Sequence, residues 1–169
     1  MNSNKDQILS RKDNFIGWMI INNPERRNAI SFAMREQMTR VFEEFDNDPQ
    51  VRVMIIRGSG GKAFISGADI SEFKNIRNNF DAEKLYAKAS EKMTDAMIAF
   101  KKPIIAMIEG YCVGGGVATA IGADIRVASE NTKYGIPAGR LGLAYGFDNL
   151  RQLVDLVGPA NAKMILFSA

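Results

Sequence analysis

The stretch IIAMIEGYCVGGGVATAIGAD, Ile104 to Asp124, decides how this chain folds. Ile104 to Ile108 is apolar and strand-like. Gly110 to Gly116 is a glycine-rich turn, and a run of small and apolar residues suited to a helix follows it. Three consecutive glycines cost conformational entropy that other residues would not. They are retained where the backbone turns sharply or must approach something closely. A helix that starts there also offers N–H groups without intrahelical partners and the positive end of its dipole. Two readings stand. One is a packing turn. The other is a backbone site for an anion, or for an oxygen on which charge develops during a reaction.

Outward from this stretch, strands and helices alternate. Phe15 to Asn22 is β-branched and aromatic, and Asn22-Asn23-Pro24 ends it as a strand. Ser31 is an N-cap candidate. Met34, Met38, Val41, Phe42 and Phe45 recur at helical spacing, which predicts a helix over 31–47. Val51 to Arg57 is a short apolar run that suits a covered parallel sheet. Ala63 to Ile65 is a brief extended piece, and Ser66 to Ile70 turns into a short helix with Asp69 near its start. Residues 75–80 read as a polar surface loop, and 81–100 as a second amphipathic helix ended by Lys101-Lys102-Pro103. Strands are expected at 125–128 and 133–136, and a glycine-rich loop over 137–146. Two helices, 148–157 and 160–167, are separated by Gly158-Pro159. The class is α/β with a largely covered sheet.

The totals narrow the function. The chain has 169 residues, 46% hydrophobic and 24% charged, which is the composition of one globular domain spanning 1–169. Its net charge of +3 comes from scattered Lys and Arg and gives no argument for a nucleic-acid partner. There is no histidine, so His-based acid–base chemistry, His-paired nucleophiles and His metal sites are excluded. The single Cys112 excludes an internal disulfide and reads as a small residue packed behind the glycine turn. The first residues are polar, with no signal-peptide core, and no apolar run has the length of a membrane span. The expected location is cytoplasmic, without a membrane partner. No metal site is expected.

A second glycine turn shares the logic of the first. Ala63-Phe-Ile-Ser-Gly-Ala-Asp-Ile70 also ends an extended piece at a glycine and begins a helix. An N–H following Gly67 and one near Gly115 can converge on a single carbonyl oxygen. If that oxygen belongs to a thioester, the pair would stabilise the enolate formed there.

With these segments in view, the chain resembles the enoyl-CoA hydratase/isomerase (crotonase) superfamily, from the first strand to Ala169. The residues that carry the resemblance are Asn23 to Ser31, Ala63 to Ile70, Lys102-Pro103, Gly110 to Gly116 and Ala123-Asp124, in order and at family-like spacing. The resemblance implies a crotonase-like spiral of ββα units, followed in full-length members by helices that build homotrimers or dimers of trimers. Leu166 to Ala169 stops within helical periodicity, so the expectation is a core domain that lacks that helical region. The implied substrate is an acyl-CoA thioester, as in fatty acid metabolism, and no cofactor is implied beyond the coenzyme A of the substrate. The implied oxyanion-hole donors are the N–H groups of Ala68 and Gly115. The implied substrate-binding residues are Ala63, Phe64, Gly67, Ala68, Asp69, Ile70 and Ser71 of the first turn and Gly114 and Gly115 of the second. Arg26 and Arg27 lie in a loop that often meets the CoA phosphates, which a guanidinium suits; a solvated role is the other reading.

The family's hydratases deliver water with two glutamates. Here Ala118 and Ala138 stand at those positions, and an alanine cannot transfer a proton. The family's dehalogenases need a histidine, which is lacking. Asp148 is a substitute acid or a helix N-cap. Glu109 reads as a rim residue, Asp124 as a turn residue, and Arg140 as an anion ligand or a surface residue. Tyr145 resembles a tyrosine of the methylmalonyl-CoA decarboxylase branch, or packs the pocket. Decarboxylation also leaves an enolate and needs no water-activating base. Three readings follow: a hydratase/isomerase-family enzyme, a malonyl-type acyl-CoA decarboxylase, and a non-catalytic acyl-CoA binder.

Overall fold

The computed structural model describes residues 7–72 and 80–169. The expected loop at 75–80 falls almost wholly outside them. Four ββα units follow one another along the chain. The first comprises β1 (Ile8–Asp13), β2 (Ile16–Ile21) and α1 (Phe32–Asn47). The second comprises β3 (Val53–Gly58), β4 (Ala63–Ile65) and α2 (Phe80–Ala99). The third comprises β5 (Ile104–Ile108), β6 (Tyr111–Val113) and α3 (Gly115–Gly122). The fourth comprises β7 (Ile125–Ala128), β8 (Lys133–Gly135) and α4 (Phe147–Phe167).

The units split their strands between two sheets. A five-stranded sheet runs β1-β2-β3-β5-β7, and a three-stranded sheet runs β4-β6-β8. β1 pairs antiparallel with β2, and the remaining pairs are parallel. Each of the last three units therefore places its first strand in the large sheet and its second in the small one, which is the spiral implied by the resemblance.

Register follows the apolar pattern. Met54 lies opposite Ile104 and Ile56 opposite Ala106, and all four are buried. Burial alternates along β3, so one face of this strand is fully buried and the other partly. The run at 51–57 suits a covered sheet, but Val53, Ile55 and Arg57 are only half-buried, so the cover is incomplete on their face.

Helix α1 begins where Ser31 accepts a hydrogen bond from the Met34 N–H at 3.2 Å, a cap that contributes about 1 kcal/mol. Its inward face carries Met34, Met38, Val41, Phe42 and Phe45, all buried. Each such large apolar side chain contributes about 1.5–3 kcal/mol on burial. α4 reads as one helix, but Gly158 interrupts it with φ 76° and ψ 162° just before Pro159, which is the break expected there.

Two strands were not visible in the sequence. β1 buries only Ile8; Leu9 and the four polar residues after it are exposed, and an edge strand can tolerate that. β6 lies inside the glycine-rich stretch, where Tyr111 to Val113 pair with both β4 and β8.

Candidate functional site

The two glycine turns abut. The Gly67 and Gly114 backbones approach so closely that a Cβ on Gly114 would sit 3.9 Å from the Gly67 Cα. Both residues adopt left-handed φ, +111° at Gly67 and +54° at Gly114, which favours glycine there. Gly116 fixes the helix start against the sheet. A Cβ on it would lie 2.1 Å from the Ile65 carbonyl oxygen, so the start of α3 rests directly on β4.

Ala68 forms a parallel bridge to Ile30. The Ile30 N–H donates to the Gly67 carbonyl and the Asp69 N–H to the Ile30 carbonyl, both at 2.9 Å. With Gly67 and Asp69 bonded toward Ile30, the Ala68 N–H faces the other way. Among the described residues neither the Ala68 N–H nor the Gly115 N–H donates to a backbone acceptor. Gly115 opens α3, so its N–H is one of the donors that no helix can satisfy internally.

Ala68 and Gly115 both line one cavity of about 600 Å³, within the usual range for ligand sites. The two turns supply Gly67, Ala68 and Gly115, and α3 adds Ala118 and Thr119. α1 contributes Arg35 and Met38, and α2 contributes Met93, Thr94 and Met97. α4 adds Asn149, Gln152, Asp155 and Leu156.

The other candidate residues distribute as follows. Ala63 and Phe64 are core residues, buried under the turn rather than on the cavity wall. Ile70 is exposed. Asp69 is the hub of the first turn: its carboxylate accepts from the Ser71 N–H at 3.0 Å, the Ser71 hydroxyl at 2.7 Å and Arg26 Nη1 at 2.6 Å. Burial raises its pKa, but the two Ser71 bonds and Arg26 outweigh burial and hold it below the ordinary aspartate value. Arg26 also bonds the Ser71 hydroxyl at 2.7 Å, so it fastens this turn. Arg27 stands over the Tyr111 ring, its guanidinium carbon 5.3 Å from the centroid.

Asp148, Arg140, Tyr145 and the alanine at the second glutamate position, Ala138, lie off the cavity wall. The N-cap of α4 is Gly146, so Asp148 is neither cap nor cavity residue but an exposed group in the first turn. Arg140 is exposed in the 3-10 turn Gly139–Leu141. Ala138 accepts the N–H groups of Leu141 and Leu143 and is half-buried. Tyr145 packs against the core, and its hydroxyl is buried without a hydrogen-bond partner among the described residues. Burial, with Cys112 adding to it, pushes the Tyr145 pKa up to about 12. Glu109 pairs with Arg57 at 3.9 Å, and Asp124 accepts the Ile104 N–H at 2.7 Å.

Cys112 is fully buried, and burial pushes its thiol up to about 12. At pH 8 the thiolate fraction is then roughly one in 10⁴, and access is blocked as well. We expect the native protein to resist an aromatic disulfide reagent and to release one equivalent of chromophore once denatured. Rapid native labelling would place this thiol at the surface.

Asn149, Gln152, Asp155 and Arg35 are among the cavity residues that sequence reasoning missed. Asn149, Gln152 and Asp155 recur every three residues along α4, so the polar stripe was legible as a face, though not as a cavity face. Arg35 lies three residues before Met38 and four before Thr39, which places it on the inward side of α1.

Among the described residues no helix is long and apolar enough to cross a membrane. The enoyl-CoA hydratase/isomerase family model matches residues 11–169. A short-chain-enoyl-CoA hydratase from Clostridium acetobutylicum is 34% identical over 164 residues, 97% of this chain and 62% of that protein. A crotonyl-CoA hydratase from Syntrophomonas wolfei is 33% identical over 97% of this chain and 62% of its own length. The crystal structure of an enoyl-CoA hydratase/carnithine racemase from Magnetospirillum magneticum superposes with a TM-score of 0.90 at 35% identity, covering 97% of this chain and 61% of that one. The chain thus spans about 62% of the length of these curated relatives. A match along nearly all of its own length, on a spiral of ββα units with paired glycine turns, means that the chain belongs to the enoyl-CoA hydratase/isomerase family, the crotonase superfamily.

Proposed function

We propose that the cavity takes an acyl-CoA thioester, with its carbonyl oxygen between the N–H groups of Ala68 and Gly115, and that the protein is an enzyme working through the thioester enolate. The observation that carries this reading is the presence of two unshared backbone donors, from separate turns, on one cavity wall. As a proton leaves the α-carbon, charge moves onto the carbonyl oxygen, where fixed N–H dipoles stabilise it without reorganising.

The reaction is read from the side chains around those donors. Ala118 faces the cavity where the family's hydratases carry an acid, which argues against fast hydration. Among the described residues Asp155 is the carboxylate on the cavity wall. It is the candidate to take a proton from the α-carbon and return it elsewhere on the acyl chain, as an isomerase requires. It also weighs against a binder with no chemistry. The malonyl-type decarboxylase loses its two residue-level supports, since Tyr145 and Arg140 lie away from the cavity wall.

The test is a panel of CoA thioesters, malonyl-type esters included, incubated in deuterium oxide and read by mass spectrometry. We expect binding of acyl-CoA, deuterium uptake into the acyl group, and loss of uptake in Asp155→Asn. Crotonyl-CoA hydration should be slow. Absence of binding by every ester would overturn the reading, and brisk hydration would overturn the reaction assigned.

A further inference from the structure

Arg35 is a buried cation that the chemistry above leaves unused. It is 8% exposed and lines the cavity with Ala68 and Gly115. Its Nη1 donates to the carbonyls of Ile30 at 3.1 Å and Ser31 at 2.9 Å, and its Nη2 to the Tyr86 hydroxyl at 2.5 Å. The guanidinium also lies over the Tyr86 ring, 4.3 Å from its centroid. Three bonds from the five N–H groups of a guanidinium leave Nε–H and one Nη2–H without an acceptor among the described residues.

No carboxylate balances this charge at close range. Among the described residues Arg35 forms no ion pair. Glu72 acts on it through the field, but its carboxylate accepts the Phe32 N–H at 2.8 Å. Asp155 reaches the same cavity from α4 and is exposed. A cation held out of water without a counter-charge is costly, and a ligand anion would offset that cost. The guanidinium is already oriented by two carbonyls and a ring, so little freedom is lost when an anion docks.

The geometry points to Arg35 as a specificity residue that receives a carboxylate, and therefore to a substrate whose acyl group carries a second carboxylate away from the thioester. This rests on the reading that the cavity takes an acyl-CoA thioester. The competing explanation is structural: Arg35 closes the start of α1 and nothing more. That role would affect charged and uncharged esters alike.

The test is calorimetric titration of the whole chain with glutaryl-CoA and pentanoyl-CoA, acyl groups of equal carbon count. The native protein should bind glutaryl-CoA about tenfold tighter, the scale of one charge-assisted hydrogen bond. Arg35→Met should remove that preference, the ratio of the two affinities falling to about one, and Arg35→Lys should retain part of it. The native preference reads the inference even if Arg35→Met fails to fold. Equal native affinity for the two esters, or equal weakening of both in Arg35→Met, overturns the inference and leaves the acyl-CoA reading standing. Failure of both esters to bind overturns the two together.

Discussion

Gly116→Ala is expected to destabilise the protein by about 3 kcal/mol or more, at the upper end of the cost of overpacking a core. The added methyl would meet the Ile65 carbonyl oxygen at 2.1 Å, and a backbone oxygen in a paired strand cannot turn aside as a side chain can. Relief requires moving α3 off β4. Because β6 lies between β4 and β8, that movement would strain the small sheet as well. Urea unfolding followed by circular dichroism measures the effect; with a slope of about 1–3 kcal/mol per molar, the midpoint should fall by roughly 1–3 M. Gly139→Ala is the matched control, since a Cβ there meets nothing within 4 Å and should leave the midpoint nearly unchanged. A Gly116→Ala variant as stable as the control would mean that the glycine turn is looser than described.

Gly115→Pro is expected to lower turnover of the thioester found in the screen by about 10²–10³-fold, the cost of one oxyanion-hole donor. Two features make this substitution informative. Proline is accommodated at the first position of a helix, where its missing N–H is not needed for the helix itself. Gly115 also has no steric need to be glycine, since an added Cβ would come no nearer than 3.9 Å to its neighbours. Gly115→Ala, which keeps the N–H, should therefore retain most activity. Steady-state kinetics on the two variants separates loss of the donor from loss of space. Equal activity in both would remove Gly115 from the oxyanion hole.

The residues of this site were legible to different degrees. The two glycine turns were readable because each rests on a local constraint: left-handed φ at Gly67 and Gly114, and close approach at Gly116. Helix α1 was readable because Ser31 and the methionines at helical spacing act through neighbouring residues. The far wall of the cavity was not. Asp148 and Asp155 lie two turns apart on one face of α4, so which of them reaches the cavity depends on where α4 lies along β8 and α3 rather than on α4 itself. β1 was hidden for a related reason: its polar residues become a strand only because β2 offers an edge to pair with. Tyr145 looked like a pocket residue through resemblance alone, and the fold turns it into the core.

The central claim is that two backbone N–H groups hold a thioester carbonyl. Infrared difference spectroscopy of a bound acyl-CoA, with the thioester carbonyl isotopically labelled, reads that carbonyl directly and does not depend on which reaction follows. The carbonyl band is expected to shift to lower wavenumber in the native protein and in Gly115→Ala, and to return largely to its solution position in Gly115→Pro. A native complex whose carbonyl band stays at its solution position would contradict that claim.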